Sequence, residues 1–196
     1  MKSAKQIQEC FESYLQGLDY SRQPDELYAP IRYVLSLGGK RIRPTFLIMA
    51  YNMYANDIES VFSTAAGMEI FHNFTLLHDD LMDRADMRRG KPTVHKKWND
   101  NTAILSGDGM LVLAYRYLAE ASATDLKKVL ALANETFTGI MEGQQYDMEF
   151  ETRDDVREEE YIEMIRLKTS VLLAACVQMG AMLGGASQAD QRLLYE

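Results

Sequence analysis

Apolar residues recur at helical spacing along nearly all of the 196 residues, and no stretch shows the strict alternation of a half-buried strand. That property confines the chain to all-α architectures. The spacing predicts helices over residues 2–17, 24–37, 44–54, 57–83, 101–121, 124–150 and 156–183. Only four prolines occur. Pro24 and Pro44 fall where a first-turn proline is tolerated, and Gly38-Gly39 supplies a break between two helices. With 47% hydrophobic residues the chain can bury a substantial core and reads as one globular domain, or a large part of one. No internal repeat and no low-complexity linker interrupts it.

Charge narrows the classes of partner. A net charge of −8 argues against nucleic acid or an anionic membrane as the main partner, because both reward dispersed positive charge. The basic residues form islands instead, at Lys40-Arg41-Ile42-Arg43 and Arg88-Arg89-Gly90-Lys91, a pattern suited to small anionic ligands. Cys10 and Cys176 lie far apart and imply neither a disulfide framework nor a metal knuckle. The N-terminus shows no signal peptide, so a cytoplasmic location is expected. The most membrane-like segment, 171–185, is too short to span and reads as a buried helix.

The motif richest in chemistry is His78-Asp79-Asp80-Leu81-Met82-Asp83, followed shortly by Arg88-Arg89-Gly90. On a helix, Asp79 and Asp83 at i,i+4 share one face while Asp80 points aside. Hard oxygen ligands in so sparse a set suit Mg²⁺, whose remaining positions are filled by water and phosphate oxygens. Arginine's planar fork matches phosphate bidentately, so the double Arg complements the carboxylates. A lone DDxxD is more often a solvated helix face, and context must decide. His72 lies on the same stripe as Asp79 and Asp83 through Leu76, where it is either a satisfied core residue or a contact to a second anion. Lys40 and Arg43 sit near a helix start, where free N–H groups and the helix dipole favour an anion.

Later in the chain, Gln144 pairs with Asp147 at i,i+3, and Lys168 with Thr169 lies in an apolar helix. A lysine there needs a partner. Asp147 or a phosphate would serve, and spacing leaves both open. The run from Arg153 to Glu160 reads as structural, with Asp155 as the expected cap of the following helix and Glu158 three residues on.

GGKRIRP, His72 ahead of HDDLMD, then RRGKPT, GQQYD and RLKT in this order resemble the trans-isoprenyl diphosphate synthases, the polyprenyl synthetase family, over essentially the whole chain. The resemblance implies an all-α, isoprenoid-synthase-like bundle around a deep central cavity, usually homodimeric. It implies a Mg²⁺-dependent head-to-tail (1'-4) condensation of isopentenyl diphosphate with an allylic diphosphate. By motif position, Asp79 and Asp83 would bind the metal, with Asp80 in support, and Arg88 and Lys168 would contact the allylic diphosphate. Lys40, Arg43, His72 and Arg89 would hold isopentenyl diphosphate, and Gln144, Asp147 and Thr169 would line the reaction centre. Phe71 and Phe74, shortly before the first aspartates, would limit product length at the farnesyl or geranylgeranyl size.

One family feature is missing, the second aspartate-rich motif. Ser187 looks like the cap of a further helix whose apolar residues Leu193 and Leu194 come just before the last residue. Residues 1–196 are therefore expected to be the N-terminal portion of a single polyprenyl synthetase domain, truncated before that motif and weakly active or inactive alone. A reading of a different class is a non-catalytic synthase-like subunit that binds and regulates an active homologue, but such subunits tend to lose the first motif, which is intact here. A terpene cyclase is disfavoured by GGKRIRP and His72, which a cyclase does not need.

Overall fold

The computed structural model describes residues 2–122 and 124–196. The helices are α1 (Ala4–Gly17), α2 (Asp25–Ser36), α3 (Ile42–Asn52), α4 (Phe62–Met82), α5 (Val94–Lys97), α6 (Asp100–Leu118), α7 (Leu126–Phe150), α8 (Glu158–Ile165), α9 (Val171–Leu183) and α10 (Gln188–Tyr195). A 3₁₀ turn, Ile58–Val61, leads into α4, and a single π turn, Arg166–Ser170, joins α8 to α9. The all-α expectation holds, with the helices within a few residues of the predicted spans.

α4 is the axis of the bundle. Ala65, Ala66, Met68, Ile70 and Phe71 are fully buried, as befits a helix apolar on most sides. α6 lies antiparallel along it, with Ala114 and Leu118 against Gly67 near one end and the Ile104 carbonyl against His78 near the other. At Gly107 a Cβ would overlap the His78 ring, so the ring occupies its present place only because that residue has no side chain. α9 packs against α3 and α7. By length and composition the Glu158–Leu183 stretch could cross a bilayer, yet Val171, Leu172, Ala175, Cys176 and Met179 of α9 are buried in the protein core, as the segment's reading predicts.

The structure corrects several local expectations. The 156–183 helix starts later and is interrupted by the π turn, because one extra residue in a helix leaves the apolar spacing on either side almost unchanged. Asp155 does not cap it. Its carboxylate accepts from Arg153 Nε at 2.9 Å, while Glu160 accepts the Arg157 backbone N–H at 3.2 Å at the true helix start. Ser187 does cap α10, accepting from the Asp190 N–H. Two two-residue strands, Met87–Arg88 and Lys91–Pro92, form a minimal hairpin too short to produce an alternation signal. Its turn residues, Arg89 and Gly90, have φ of 52° and 75°, the double left-handed geometry of a type I′ turn. Pro30 lies inside α2, where it removes one helical hydrogen bond.

Arg41 differs most from the reading of its segment. It lies at the start of α3 in a left-handed conformation, φ 49°, with its side chain 3% exposed. Its guanidinium donates to Glu12 at 3.0 Å, to Glu69 at 2.7 Å and to the Leu35 carbonyl at 3.3 Å, and Glu69 also accepts from Asn73. Burial works against this charge, but the two carboxylates overcome it and hold the arginine firmly protonated. The network ties α1, the α2 end and α3 to α4. Arg41→Ala should destabilise the fold by about 3–5 kcal/mol in urea unfolding, since it strands the buried Glu69 charge. A loss under about 1 kcal/mol, the scale of an exposed pair, would show that the network bears little of the stability.

Candidate active site

The C-terminal half of α4 faces α7, the π turn and the start of α9 across a cavity of about 390 Å³. Its walls are Phe74, Leu76, Ile140, Met141, Met148 and Leu172, and its polar rim is Arg43, His72, Asp79, Gln144, Lys168 and Thr169. The lining therefore combines charged and apolar side chains. Phe74 lies in the wall with its ring against His78, centroids 4.8 Å apart. Phe71 does not line the cavity. It is fully buried behind Phe74 and stacked on Phe137 with an interplanar angle of 3°. Any effect of Phe71 on the cavity passes through Phe74.

At the rim, Lys168 Nζ lies 3.1 Å from Asp79 Oδ1 and is hydrogen-bonded to Asp147 Oδ2. The buried lysine thus has the partner its position requires, in two carboxylates. Burial, the largest influence on Lys168, favours loss of its proton, but the bonds to Asp147 and Asp79 together outweigh it and raise the pKa. Arg88 completes the group. Its Nε donates to Asp80 Oδ2 at 2.8 Å, and Nη2 stands 3.7 Å from Asp79 Oδ2. Asp80 is buried beneath this contact and points away from the rim, as its position on the helix predicts. Asp83 follows the last turn of α4, its pKa raised by burial first and by the negative charge of Asp79 second. An Asp83 carboxyl that resists losing its proton beside Asp79 marks a place that a cation stabilises.

Among the described residues, no three His, Cys, Asp or Glu side chains form a closed metal cage. Asp79 and Asp83 alone suit an ion that takes few protein ligands and completes its shell with water and ligand oxygens, which is the habit of Mg²⁺.

An adjoining pocket is lined by Gly39, Lys40, Arg41, Glu69, His72 and Arg89. Arg89 reaches it by donating to the Gly38 carbonyl, which joins the two basic islands in space. Arg43 Nη1 donates to His72 Nε2 at 3.2 Å, and its buried Nε has no acceptor among the described residues. An orphaned guanidinium N–H beside Arg89 invites an anion. Because arginine has no acceptor, His72 Nε2 must accept, which places the imidazole proton on Nδ1. Lys40 is exposed at the pocket's edge. Of the residues singled out from the sequence, Lys40, Arg43, His72, Phe74, Asp79, Arg89, Gln144, Lys168 and Thr169 line these two pockets, Arg88 and Asp147 contact the rim residues Asp79 and Lys168, and Phe71, Asp80 and Asp83 line neither.

Sequence reasoning passed over Arg41, Glu69, His78 and Gly143. For Glu69 a signal was present, since a carboxylate within the apolar run leading to His72 requires a buried partner.

Burial, followed by the charges of Arg43, Arg89, Arg88 and Arg41, pushes the His72 pKa from 6.5 down to about 3. The unfolded chain binds this proton at a higher pH than the folded one does, so His72's contribution to stability is complete above about pH 6.5. It is lost progressively as the pH falls toward 3. On lowering the pH from 7 to 5 the loss from this one group approaches about 2 kcal/mol. Thermal melts at the two pH values should show a smaller drop for His72→Gln than for the parent chain. Equal drops would mean that His72 is not held neutral.

Comparison with known proteins adds family and fold. The profile of the polyprenyl synthetase family matches residues 24–196. The geranylgeranyl diphosphate synthase of Methanosarcina mazei is 46% identical over 176 residues, covering 89% of this chain and 54% of its own length. The geranylfarnesyl diphosphate synthase of Natronomonas pharaonis is 39% identical, covering 89% and 56%. Among solved structures, a geranylgeranyl pyrophosphate synthase superposes on all of this chain and 60% of its own, with a TM-score of 0.96 and 45% identity. The chain thus spans between half and two-thirds of the length of each of these proteins.

Proposed function

The chain belongs to the polyprenyl synthetase family, and from that premise we propose that it carries the first half-site of a prenyltransferase. The reaction is the Mg²⁺-dependent head-to-tail (1'-4) condensation of isopentenyl diphosphate with an allylic diphosphate. The product is of farnesyl or geranylgeranyl length. The observation that carries this reading is the mixed lining of the cavity, with Asp79 and Lys168 on its polar rim, Arg88 beside Asp79, and Phe74 among its apolar walls. Such a site suits a molecule with a diphosphate head and a hydrocarbon tail.

Asp79 and Asp83 would hold Mg²⁺, which when bound supplies electrostatic stabilisation to the departing diphosphate. Lys168 and Arg88 are protonated and lie at the same rim, so they neutralise charge that develops on the leaving oxygen as the allylic C–O bond ionises. The walls of Phe74, Leu76, Ile140 and Leu172 exclude water, which would otherwise quench the allylic cation. Arg43, Arg89 and Lys40, with neutral His72 among them, bind the diphosphate of isopentenyl diphosphate next to that rim. The proton released at the end passes to the freed diphosphate, a strong acceptor already held beside the reacting carbon. α6 presents Ile104, Leu105 and Val112 to solvent, 47%, 60% and 70% exposed. That apolar face supports assembly as a homodimer.

Calorimetric titration with a non-hydrolysable allylic diphosphate analogue should show binding to this chain that strengthens with Mg²⁺, and Asp79→Ala should abolish the Mg²⁺-dependent part. Binding indifferent to both metal and mutation would overturn the reading. Phe74→Ala opens the apolar wall of the cavity, so analogues with a longer tail should gain affinity relative to shorter ones, and products assayed by mass spectrometry should lengthen. Unchanged preferences would remove Phe74 as the floor.

A further inference from the structure

α7 and the π turn cross more closely than side chains at the contact would permit. A Cβ on Gly143 would overlap the Lys168 backbone nitrogen, and it would stand 2.8 Å from the Leu167 carbonyl carbon and 2.9 Å from Leu167 Cβ. The nearest two are main-chain atoms, so no change of rotamer relieves the overlap. One turn earlier, a Cβ on Gly139 would meet only Leu167 Cδ2 at 3.4 Å, an ordinary contact. One turn later, Asp147 supplies the carboxylate that holds Lys168. Gly143 and Asp147 therefore share one stripe of α7, and both face the π turn.

A π turn carries one residue more than an α turn, so its backbone bulges outward. Here the bulge is Leu167-Lys168, and the space that receives it is the missing side chain of Gly143. Removing the extra residue would rotate Lys168 by about 100° around the helix axis relative to one flank. It would then no longer span Asp79 on α4 and Asp147 on α7.

We propose that Gly143 is a positioning residue for Lys168: by having no side chain it accepts the π-turn bulge and so fixes the ammonium between Asp79 and Asp147, where it meets the allylic diphosphate. The inference rests on the function proposed above. Gly143 touches no reacting atom and acts only through the backbone of its neighbour.

Gly143→Ala should weaken binding of the allylic diphosphate analogue roughly tenfold, the scale of one misdirected charge-assisted hydrogen bond. Affinity for isopentenyl diphosphate, held by Arg43, His72 and Arg89, should stay within about twofold, as should both affinities in Gly139→Ala, since each leaves the Lys168 contact untouched. In a Lys168→Ala background the Gly143→Ala effect should vanish, which a general loss of stability would not do. Deleting Leu167 supplies a second test that leaves Gly143 in place: it restores α geometry with the flanking helices in register and should reproduce the selective loss. If Gly143→Ala does not fold, the deletion decides alone. Allylic binding unchanged in either folded variant, equal weakening of both diphosphates, or additivity with Lys168→Ala would overturn the proposal. The parent chain, titrated alongside, separates the two claims. No allylic binding by the parent defeats the functional reading and this inference with it, whereas normal parent binding with unaffected variants defeats the inference alone.

Discussion

The buried ion pair between Arg41 and Glu69 is the interaction from which the rest of the site hangs. A charged pair is expensive to bury unless each member is fully hydrogen-bonded, and here Glu12, Asn73 and the Leu35 carbonyl supply the remaining partners. Once satisfied, the pair nails the start of α3 to the middle of α4. The cations on either side of Arg41 then have no freedom to choose their pocket. Lys40 emerges at the edge and Arg43 turns inward onto His72. A single buried arginine thus arranges the cations on either side of it.

From that anchor the charges separate into two groups a few residues apart on α4. His72 faces a field of arginines and stays neutral, while Asp79 and Asp83, two turns on, crowd negative charge that Lys168 and Arg88 only partly offset. One helix therefore passes from a cationic pocket to an anionic rim within its last three turns. The apolar walls of the cavity adjoin the rim, so charged and apolar linings are set by the same stretch of backbone.

Much of this was legible because it is local. The i,i+4 spacing of Asp79 and Asp83 follows from helix geometry once the preceding apolar run is read as helical. The fate of neighbouring residues was harder to read. Arg41 and Lys40 are adjacent cations with opposite burial, and the difference comes from a left-handed backbone at Arg41 that no periodicity announces. Phe71 and Phe74 looked equivalent because α4 is apolar on most sides; only the stacking of Phe71 on Phe137 separates core from cavity. The π turn escaped for a similar reason: it changes the phase of a helix without changing its composition. The need of Lys168 for a partner is local, whereas the carboxylates that meet it, Asp147 and Asp79, come together only through the tertiary crossing of α7.

The two-residue turn at Arg89-Gly90 has a consequence of its own. Successive residues of a strand point to opposite sides, and the turn that follows Arg88 sends the chain straight back. Arg88 is thereby committed to Asp79 and Asp80, and Arg89 to the Gly38 loop, although only one peptide bond lies between them. The hairpin works as a phase key. Slipping its register by a single residue would exchange the sides to which the two guanidiniums point while leaving composition, charge and helix packing intact, so the assignment of each pocket to its own arginine is stored in the parity of the sequence.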